Sequence, residues 1–251
     1  MLEKIDLEDI VNIAKMAGDA IMDIYVKDFK VEYKSDESPL TEADIRANDI
    51  ICRELKRLYP DTPILSEENK ILEYDYRKDW RYYWCIDPID GTKEFIKKNG
   101  EFTVNIALIY VDTPVLGVVY APAINRLYKA KDGVGAFRDG IRLPIKINSN
   151  QKDKMVVVCS KSHLSQETQD FIDNLKTKKI VQKSIGSSLK LCMVAEGEAD
   201  IYPRVAPTME WDTAAAHSIV LNSNKNVIQF DNKKSLVYNK ENLYNPSFIV
   251  K

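Results

Sequence analysis

The segment from residue 84 to residue 92 reads WCIDPIDGT and places two carboxylates three residues apart, directly after an apolar run typical of a buried strand. Pro88 fixes its own φ and disfavours helical backbone at the preceding residue, so the chain must turn here. The turn lets Asp87, Asp90 and the Ile89 carbonyl converge on one centre. Because two like charges repel each other at close range, we predict that a metal ion holds them together.

Three further acidic positions stand at the ends of apolar elements, where side chains can leave the core and enter a cleft. They are Asp44 in PLTEAD, the pair Glu67–Glu68 in LSEEN, and Asp212 in EWDTAAAH. Taken singly, each has an ordinary explanation, such as a helix cap, a first-turn acid or a solvated surface pair. A lone DPID motif is likewise usually a turn. Their occurrence together in one chain favours a shared site.

The types of ligand in this set point to a particular metal. Carboxylates and one carbonyl, with no His or Cys among them, suit a hard cation, and Mg²⁺ is the default because it keeps water ligands and bridges to phosphate. Gly91 and Thr92 come next in the chain and are predicted to open a helix whose N–H groups bind an anion. Together these features describe metal-assisted hydrolysis of a phosphate ester.

The composition limits the class of protein. The 251 residues are 45% hydrophobic, which is enough for one large domain or two closely packed halves. A formal net charge of −2 gives no basic footprint for nucleic acid, and no apolar run approaches the ~18 residues of a membrane-spanning helix. The N-terminus has no apolar signal core, and the four cysteines form no CxxC pair. We therefore expect a cytoplasmic protein with reduced thiols.

The hydrophobic pattern predicts a layered α/β (α+β) fold. Apolar spacings of three and four predict helices over about 7–24 and 43–58, and short apolar runs over 63–130 predict a largely antiparallel meander. Strand and helix alternate after residue 150. We predict a single unit over 1–251, with a front subdomain of about 1–150 and a back subdomain of about 151–251.

Several motifs resemble a known group of enzymes. SEE, DPIDGTKEF and WDTAA resemble the signature of the lithium-sensitive, Mg²⁺-dependent phosphatases of the inositol monophosphatase superfamily. The longer segments YKSDESPLTEAD, NGEFTVNIALI, LGVVYAP, SIGSSLKLCMVAEGEADIYPR and WDTAAAH are similar to the CysQ-type 3′(2′),5′-bisphosphate nucleotidases, and the resemblance runs from about residue 8 to the C-terminus. It implies an inositol-monophosphatase-like αβαβα sandwich.

The resemblance also implies an activity, which is removal of the 3′-phosphate of adenosine 3′,5′-bisphosphate to give AMP and phosphate, in sulfur and nucleotide metabolism. The sulfated form, 3′-phosphoadenylyl sulfate, is a further candidate substrate. One alternative is an inositol monophosphatase or sugar-phosphate phosphatase with the same metal core. Another is a nucleotide-binding sensor without catalysis. The expected partner is a small nucleotide bisphosphate and no nucleic acid, and we expect a monomer, with a dimer as the alternative.

The family pattern assigns a role to each residue of the site. Two to three Mg²⁺ ions are held by Glu67, Asp87, the Ile89 carbonyl, Asp90 and Asp212, with Asp87 between two of them. Thr92 and Asp44 orient and deprotonate the attacking water, and Glu68 holds a water at the edge of the metal site. Gly91 and Thr92 donate N–H groups to the scissile phosphate, which Glu67, Ile89, Asp90 and Asp212 also surround.

The nucleoside and the 5′-phosphate need separate contacts. The segment SIGSSLK matches the stretch that lies along the nucleoside in this branch, so Gly186, Ser187 and Lys190 are candidates there. The candidate cations for the 5′-phosphate, in order of preference, are Lys190, Arg204, Lys161 and His163. A structural or surface role is expected for both histidines, His163 and His217.

Two positions depart from simpler relatives, and one segment has an open role. Residue 66 is Ser, where inositol phosphatases often carry Gly, and Ala216 stands where relatives of the WD motif often carry Gly. We expect Ala216 to be tolerated unless the backbone must approach another element closely there. The aromatic segment YDYRKDWRYYW is expected to pack under the first sheet.

Overall fold

The computed structural model of the chain describes residues 1–27, 29–33, 39–145, 154–160, 165–175 and 179–251. Its helices are α1 (Leu7–Tyr25), α2 (Glu42–Leu58), α3 (Tyr74–Arg77), α4 (Thr92–Ile96), α5 (Gln166–Asp173), α6 (Leu189–Glu196) and α7 (Glu210–Leu221). Its strands are β1 (Val31–Tyr33), β2 (Pro39–Thr41), β3 (Ile64–Ser66), β4 (Tyr82–Asp90), β5 (Thr103–Tyr110), β6 (Thr113–Ala121), β7 (Arg126–Lys131), β8 (Gly135–Arg138), β9 (Ile141–Arg142), β10 (Met155–Ser160), β11 (Ile180–Ile185), β12 (Tyr202–Arg204), β13 (Val227–Gln229) and β14 (Phe248–Val250).

The two N-terminal helices form the first layer, and their predicted positions are confirmed. The Asp6 side chain caps α1 by accepting from the Glu8 N–H at 2.9 Å. A capping box between Thr41 and Asp44 begins α2, and such a box satisfies N–H groups that the helix itself leaves unpaired. The apolar stripes of both helices pack on one face of a large sheet, against residues such as Trp84.

That sheet forms the second layer. Within the described residues, strands β3 to β9 lie side by side in sequence order. The pairing of β3 with β4 is parallel and the others are antiparallel, which confirms the predicted meander. The first part of strand β4, up to Ile86, is apolar because both of its faces are covered: Trp84 and Ile86 face the first layer, whereas Tyr83 and Cys85 face the other way. The short strands β8 and β9 were not predicted.

Helices α6 and α7 form the third layer, on the opposite face of the sheet. Strand β6 approaches α7 so closely that a Cβ at Gly117 would lie 2.2 Å from the Ala215 carbonyl oxygen. Glycine is therefore required on the strand, whereas Ala216 lies buried within an uninterrupted helix. The expectation that Ala216 is tolerated agrees with this packing.

The remaining elements complete the layers. Strand β10 pairs in parallel with β11, and β14 pairs antiparallel with β12 and β13. A bridge between Val157 and Ile201 joins the two groups of strands. Helix α5 covers their far side through Ile172. The order helix, sheet, helix, sheet, helix is the αβαβα sandwich, so the predicted fold class is confirmed. The parallel strand β11 was not predicted.

One hydrophobic core crosses the expected boundary near residue 150. Tyr83 and Ala107 of the main sheet pack in the same cluster as Val194, Ile219 and Phe248 of the back part. Because neither half buries its apolar surface alone, we propose that residues 1–251 form a single unit with a front subdomain to about 150 and a back subdomain from about 151.

The structure also bears on the expectations for the cysteines, for the aromatic segment and for membrane-spanning helices. The four cysteines are all free, and three of them are buried, as expected. Of the aromatic segment, Tyr83 and Trp84 are buried within strand β4 itself, whereas the packing expected for Tyr74 and Tyr76 is wrong, because both are exposed on the short helix α3. In the described part of the chain, no helix has the length and apolar character needed to span a bilayer.

Candidate active site

A cleft of about 280 Å³ opens where β4 ends and where α4, α6 and α7 begin. Most of the residues predicted for the site line it. They are Glu67, Asp87, Ile89, Asp90, Gly91, Thr92, Gly186, Ser187, Lys190, Arg204 and Asp212. Two predicted residues lie beside the cleft instead: Glu68 is half-buried next to Glu67, and Asp44 is buried behind Thr92. Asp87, Ile89 and Asp90 of the DPID turn all line this cleft, and a register shift between β4 and β5 falls at Asp87 to Asp90. Their convergence on one metal stays a prediction.

Three carboxylates in this cleft are close enough to share a cation. Oxygen atoms of Glu67, Asp87 and Asp212 all lie within 4.8 Å of one another. Asp87 is 1% exposed, and its Oδ1 atom has no hydrogen-bond partner in the part of the chain that the structure describes. A buried carboxylate oxygen without a donor is costly, and a cation would satisfy it. The residues therefore fit a metal with oxygen ligands.

The helix caps and the site use the same aspartates. Asp44 accepts from the Thr41 N–H at 2.8 Å and the Thr41 hydroxyl at 2.6 Å through Oδ2, while Oδ1 lies 3.3 Å from the Thr92 hydroxyl. Asp212 accepts from the Met209 N–H at 2.8 Å through Oδ2. Each aspartate thus caps a helix end through Oδ2, which confirms the capping interpretation. Asp212 also belongs to the carboxylate cluster, and Asp44 Oδ1 contacts Thr92, so the functional interpretation stays a prediction.

The turn that carries Glu67 is held to helix α2. The Ser66 hydroxyl donates to Asn48 Oδ1 at 2.7 Å, and the Asn48 amide donates to Asn69 at 2.9 Å. The Glu67 N–H donates to the Ile86 carbonyl at 3.2 Å, beside the start of the DPID turn. The serine at position 66 therefore has a structural role that glycine would not supply.

Helix α7, which carries Asp212, is anchored by a second buried carboxylate. Glu210 is wholly buried and accepts from the backbone N–H groups of Asn239 and Lys240 and from the Lys240 ammonium, at 2.8, 3.0 and 2.6 Å. Bonds to a charged group are among the stronger hydrogen bonds in proteins. They fix the first turn of α7, and with it the direction of Asp212.

The electrostatics of the site are those of crowded, buried acids. Burial raises the pKa of Asp87 well above its ordinary value, and the negative charge of Glu67 adds to the effect. Burial also raises the pKa of Asp90 to about 6, although Lys190 opposes the shift, and it raises the pKa of Asp212 well above its ordinary value. A cation in the cleft would favour the ionised forms of these carboxylates and would therefore lower their pKa values.

The positively charged groups lie across the cleft. Lys190 is buried, and its ammonium donates to the Ser187 carbonyl at 2.5 Å and lies 5.6 Å from the centre of the Tyr202 ring. Arg204 donates from Nη2 to the Pro207 carbonyl at 3.1 Å, whereas its buried Nε has no partner among the described residues. Lys161 and His163 lie outside the described residues. His217 is buried away from the cleft against Tyr238, and burial lowers its pKa to about 3.

Several lining residues were missed by the sequence analysis. They are Lys93, Glu94, Ser160, Ser188, Leu191, Tyr202, Pro207, Thr208, Thr213 and Phe248. Ser188 directly follows Gly186 and Ser187, which were both predicted, so its position in the sequence could have indicated that it lines the cleft. Tyr202 and Phe248 reach the cleft from paired strands far apart in sequence, and no local pattern could have indicated this.

Gly186 provides a direct test of how tightly this cleft is built. A Cβ at this position would lie 2.7 Å from the Glu101 carbonyl oxygen and 2.7 Å from Glu94 Cγ. We expect Gly186→Ala to displace the following turn, to reduce turnover at least about tenfold, and to cost about 1–3 kcal/mol of stability. Kinetics and urea unfolding measure the two effects. Gly133→Asn serves as a control, because the space around Gly133 is open and Asn tolerates its left-handed backbone. Equal losses in both variants would contradict the expectation.

The chain is similar to known proteins over nearly its whole length. The model of the inositol monophosphatase family matches residues 3–247. The 3′(2′),5′-bisphosphate nucleotidase CysQ of Salmonella typhimurium is 44% identical over 247 residues, which cover 97% of this chain and 98% of the relative. The CysQ of Haemophilus influenzae is 34% identical over 255 residues, covering 97% of this chain and 91% of the relative.

Solved structures of inositol monophosphatase family members are also similar to this chain. A crystal structure of CysQ from Bacteroides thetaiotaomicron, described as a bacterial member of the inositol monophosphatase family, is 43% identical with a TM-score of 0.87, covering 98% of this chain and 96% of that one. The IMPase of Thermotoga maritima is 27% identical with a TM-score of 0.80, covering 98% and 91%. These findings confirm the resemblance seen in the motifs. The chain belongs to the inositol monophosphatase family.

Proposed function

We propose that this protein is a Mg²⁺-dependent 3′(2′),5′-bisphosphate nucleotidase that converts adenosine 3′,5′-bisphosphate to AMP and phosphate. The observation that carries the proposal is the cluster of Glu67, Asp87 and Asp212, in which the buried Asp87 Oδ1 has no hydrogen-bond partner among the described residues. Relatives that bear the name of this activity support it, because they are 44% identical over nearly the whole chain.

The carboxylates define where metal would bind. Glu67, Asp87, Asp90, Asp212 and the Ile89 carbonyl are the proposed ligands for two to three Mg²⁺ ions. When bound, Mg²⁺ supplies positive charge that offsets the phosphate oxygens and makes water more acidic. Glu68, beside Glu67, is proposed to hold a water at the edge of this site. Without a cation, the same carboxylates would repel the phosphate of the substrate.

Thr92 and Asp44 are the proposed pair that activates water. The Thr92 hydroxyl lies 3.3 Å from Asp44 Oδ1 and 3.2 Å from the Ile89 carbonyl oxygen. In the proposed step, the water gives a proton to Thr92 Oγ1 while the Thr92 proton moves to Asp44 Oδ1. The water oxygen bonds to phosphorus as the bond to the 3′-oxygen breaks, and the leaving oxygen takes a proton from solvent. Thr41 holds the other Asp44 oxygen, so the pair is oriented before substrate binds.

The rest of the cleft would bind the remainder of the substrate. The N–H groups of Gly91 and Thr92 face the anion at the start of α4 in this proposal, and Gly186 and Ser187 would lie along the nucleoside. Arg204 is favoured over Lys190 for the 5′-phosphate, because its Nε has no partner among the described residues whereas the Lys190 ammonium already donates to backbone carbonyls. Tyr202 offers an aromatic face beside them.

The finer parts of the proposal follow from the family resemblance. They include inhibition by Li⁺, action on 3′-phosphoadenylyl sulfate, a role in sulfur and nucleotide metabolism, a cytoplasmic location and a monomeric state. An inositol monophosphatase or sugar-phosphate phosphatase would use the same metal core. Sequence identity supports the nucleotidase over this alternative, because relatives named CysQ reach 44% whereas the IMPase of Thermotoga maritima reaches 27%.

Initial rates of phosphate release test the substrate. Adenosine 3′,5′-bisphosphate, AMP and inositol 1-phosphate are compared in Mg²⁺, with and without Li⁺. We expect fast release from the bisphosphate alone and inhibition by Li⁺. Preferred release from inositol 1-phosphate would keep the metal mechanism but overturn the substrate. Tight binding of the bisphosphate without release would indicate a sensor instead of an enzyme.

A further inference from the structure

Three buried polar side chains lie directly behind the cleft and contact one another. Ser188 Oγ is 2.9 Å from Asn105 Oδ1 and 2.9 Å from Thr103 Oγ1, and each of the three residues is at most 1% exposed. Ser188 has a single hydroxyl proton and donates it to the amide oxygen of Asn105. The Thr103 hydroxyl must therefore donate to Ser188. We call Thr103, Asn105 and Ser188 the buried triad.

The buried triad joins the main sheet to the turn that forms one wall of the cleft. Thr103 and Asn105 belong to β5, whereas Ser188 immediately precedes α6. The backbone N–H of Ser188 donates to Asp90 Oδ2. The side chain of Ser188 is thus fixed by the sheet while its backbone holds a carboxylate of the site.

The turn itself would not adopt this shape without support. Ser187 has a φ of 51°, in the left-handed region that non-glycine residues rarely adopt. The Gly186 N–H donates to Glu101 Oε2 at 2.8 Å on the other side of the turn. Strained backbone persists only where its surroundings determine it. Here Glu101 holds the turn on one side and the buried triad holds it on the other, and together they keep Ser187 in this conformation.

The buried triad also lies next to a second carboxylate. Asn105 stands directly opposite Asp87 in the pairing of β4 with β5, and paired residues of neighbouring strands share one face of a sheet. Both Asn105 Nδ2 and Asp87 Oδ1 are buried and have no hydrogen-bond partner among the described residues. The amide that Ser188 orients therefore presents its donor on the face that carries the carboxylate cluster.

We propose that Ser188, held by Thr103 and Asn105, is a positioning residue that sets the orientation of Asp90 for metal binding. The proposal rests on the proposed function, in which Asp90 is a metal ligand. Groups that orient metal ligands affect metal affinity even though they never touch the metal, typically by ten- to a hundredfold.

The test uses Ser188→Ala, which removes the hydroxyl and keeps the backbone N–H that contacts Asp90. Titration calorimetry with Mn²⁺ or Mg²⁺, without substrate, measures metal affinity directly. We expect metal binding to weaken about tenfold and the Mg²⁺ concentration for half-maximal activity to rise by a similar factor. Thr103→Val, which keeps the side-chain shape and removes its donor, is expected to act in the same direction. The double variant should weaken binding little more than Ser188→Ala alone, because both changes break one chain of hydrogen bonds.

Ser218→Ala is the matched control. Ser218 is also fully buried in the third layer, but its hydroxyl has no hydrogen-bond partner among the residues that the structure describes, so this variant should bind metal as the wild type does. Wild-type metal affinity in Ser188→Ala would overturn the inference, as would a loss of thermal stability with no change in metal affinity. Failure of the wild type itself to bind metal would instead overturn the proposed function, so the two failures are distinguishable.

Discussion

Asp90→Asn is expected to reduce the rate of phosphate release by about a thousandfold or more, with no loss of the folded structure. The substitution removes one negative charge from a set of ligands that must offset a divalent cation. A loss of about 4 kcal/mol in transition-state stabilisation corresponds to a factor of this size. Saturating concentrations of Mg²⁺ should not restore the rate, because the remaining ligands offer the metal one negative charge fewer even when it is bound.

The fold should survive because Asn has the shape of Asp and its amide oxygen can still accept from the Ser188 N–H. Circular dichroism and urea unfolding check the fold, and a phosphate-release assay checks the rate. Asp112→Asn is the control, since Asp112 is an exposed carboxylate on the turn between β5 and β6. Turnover by Asp90→Asn within tenfold of the wild type would remove Asp90 from the metal site.

Removal of metal is expected to make the stability of the protein depend on pH in an unusual direction. Burial raises the pKa of Asp90 to about 6 and raises the pKa values of Asp87 and Asp212 further above their ordinary range. At Asp90 the folded protein therefore binds more protons than the unfolded chain between about pH 4 and pH 6. The stability that Asp90 contributes is greatest at low pH and is lost as the pH rises through this window, and the raised pKa values of Asp87 and Asp212 act in the same direction.

The Asp90→Asn variant isolates the loss of stability that ionised Asp90 causes when metal is absent. In EDTA at pH 7.5, we expect Asp90→Asn to be more stable than the wild type by about 2–3 kcal/mol, and the difference to shrink by roughly half at pH 5. Saturating Mg²⁺ should reverse the order, because only the wild type gains full stabilisation from binding. Urea unfolding at several pH values provides the measurement. A wild type that remains more stable than the variant in EDTA would show that the carboxylates do not repel one another in the folded state.

The DPID turn shows how far local sequence can predict a site. Pro88 and the apolar run before it were enough to predict that Asp87 and Asp90 face one site, and both residues line the same cleft. The caps of α2 and α7 were also visible, because capping residues act within three positions of the chain. What the local pattern could not show was that each capping aspartate uses its two oxygens for different purposes.

The features that sequence reasoning missed depend on contacts between distant segments. Ser188 lies 98 residues from Asp90 and 83 from Asn105, and nothing in the spacing of these residues indicates that they meet. Strand β11 was missed because its burial is only partial and its residues include Gln182 and Lys183. Its assignment depends on the neighbouring strand β10, not on its own composition.

Identification of the reaction products tests the central claim most directly. Adenosine 3′,5′-bisphosphate is incubated with the protein in Mg²⁺ and in EDTA, and the products are separated by chromatography and identified by phosphorus NMR. The account predicts equal amounts of AMP and phosphate in Mg²⁺ and no turnover in EDTA. Formation of adenosine 3′-monophosphate, or turnover that EDTA leaves unchanged, would contradict it.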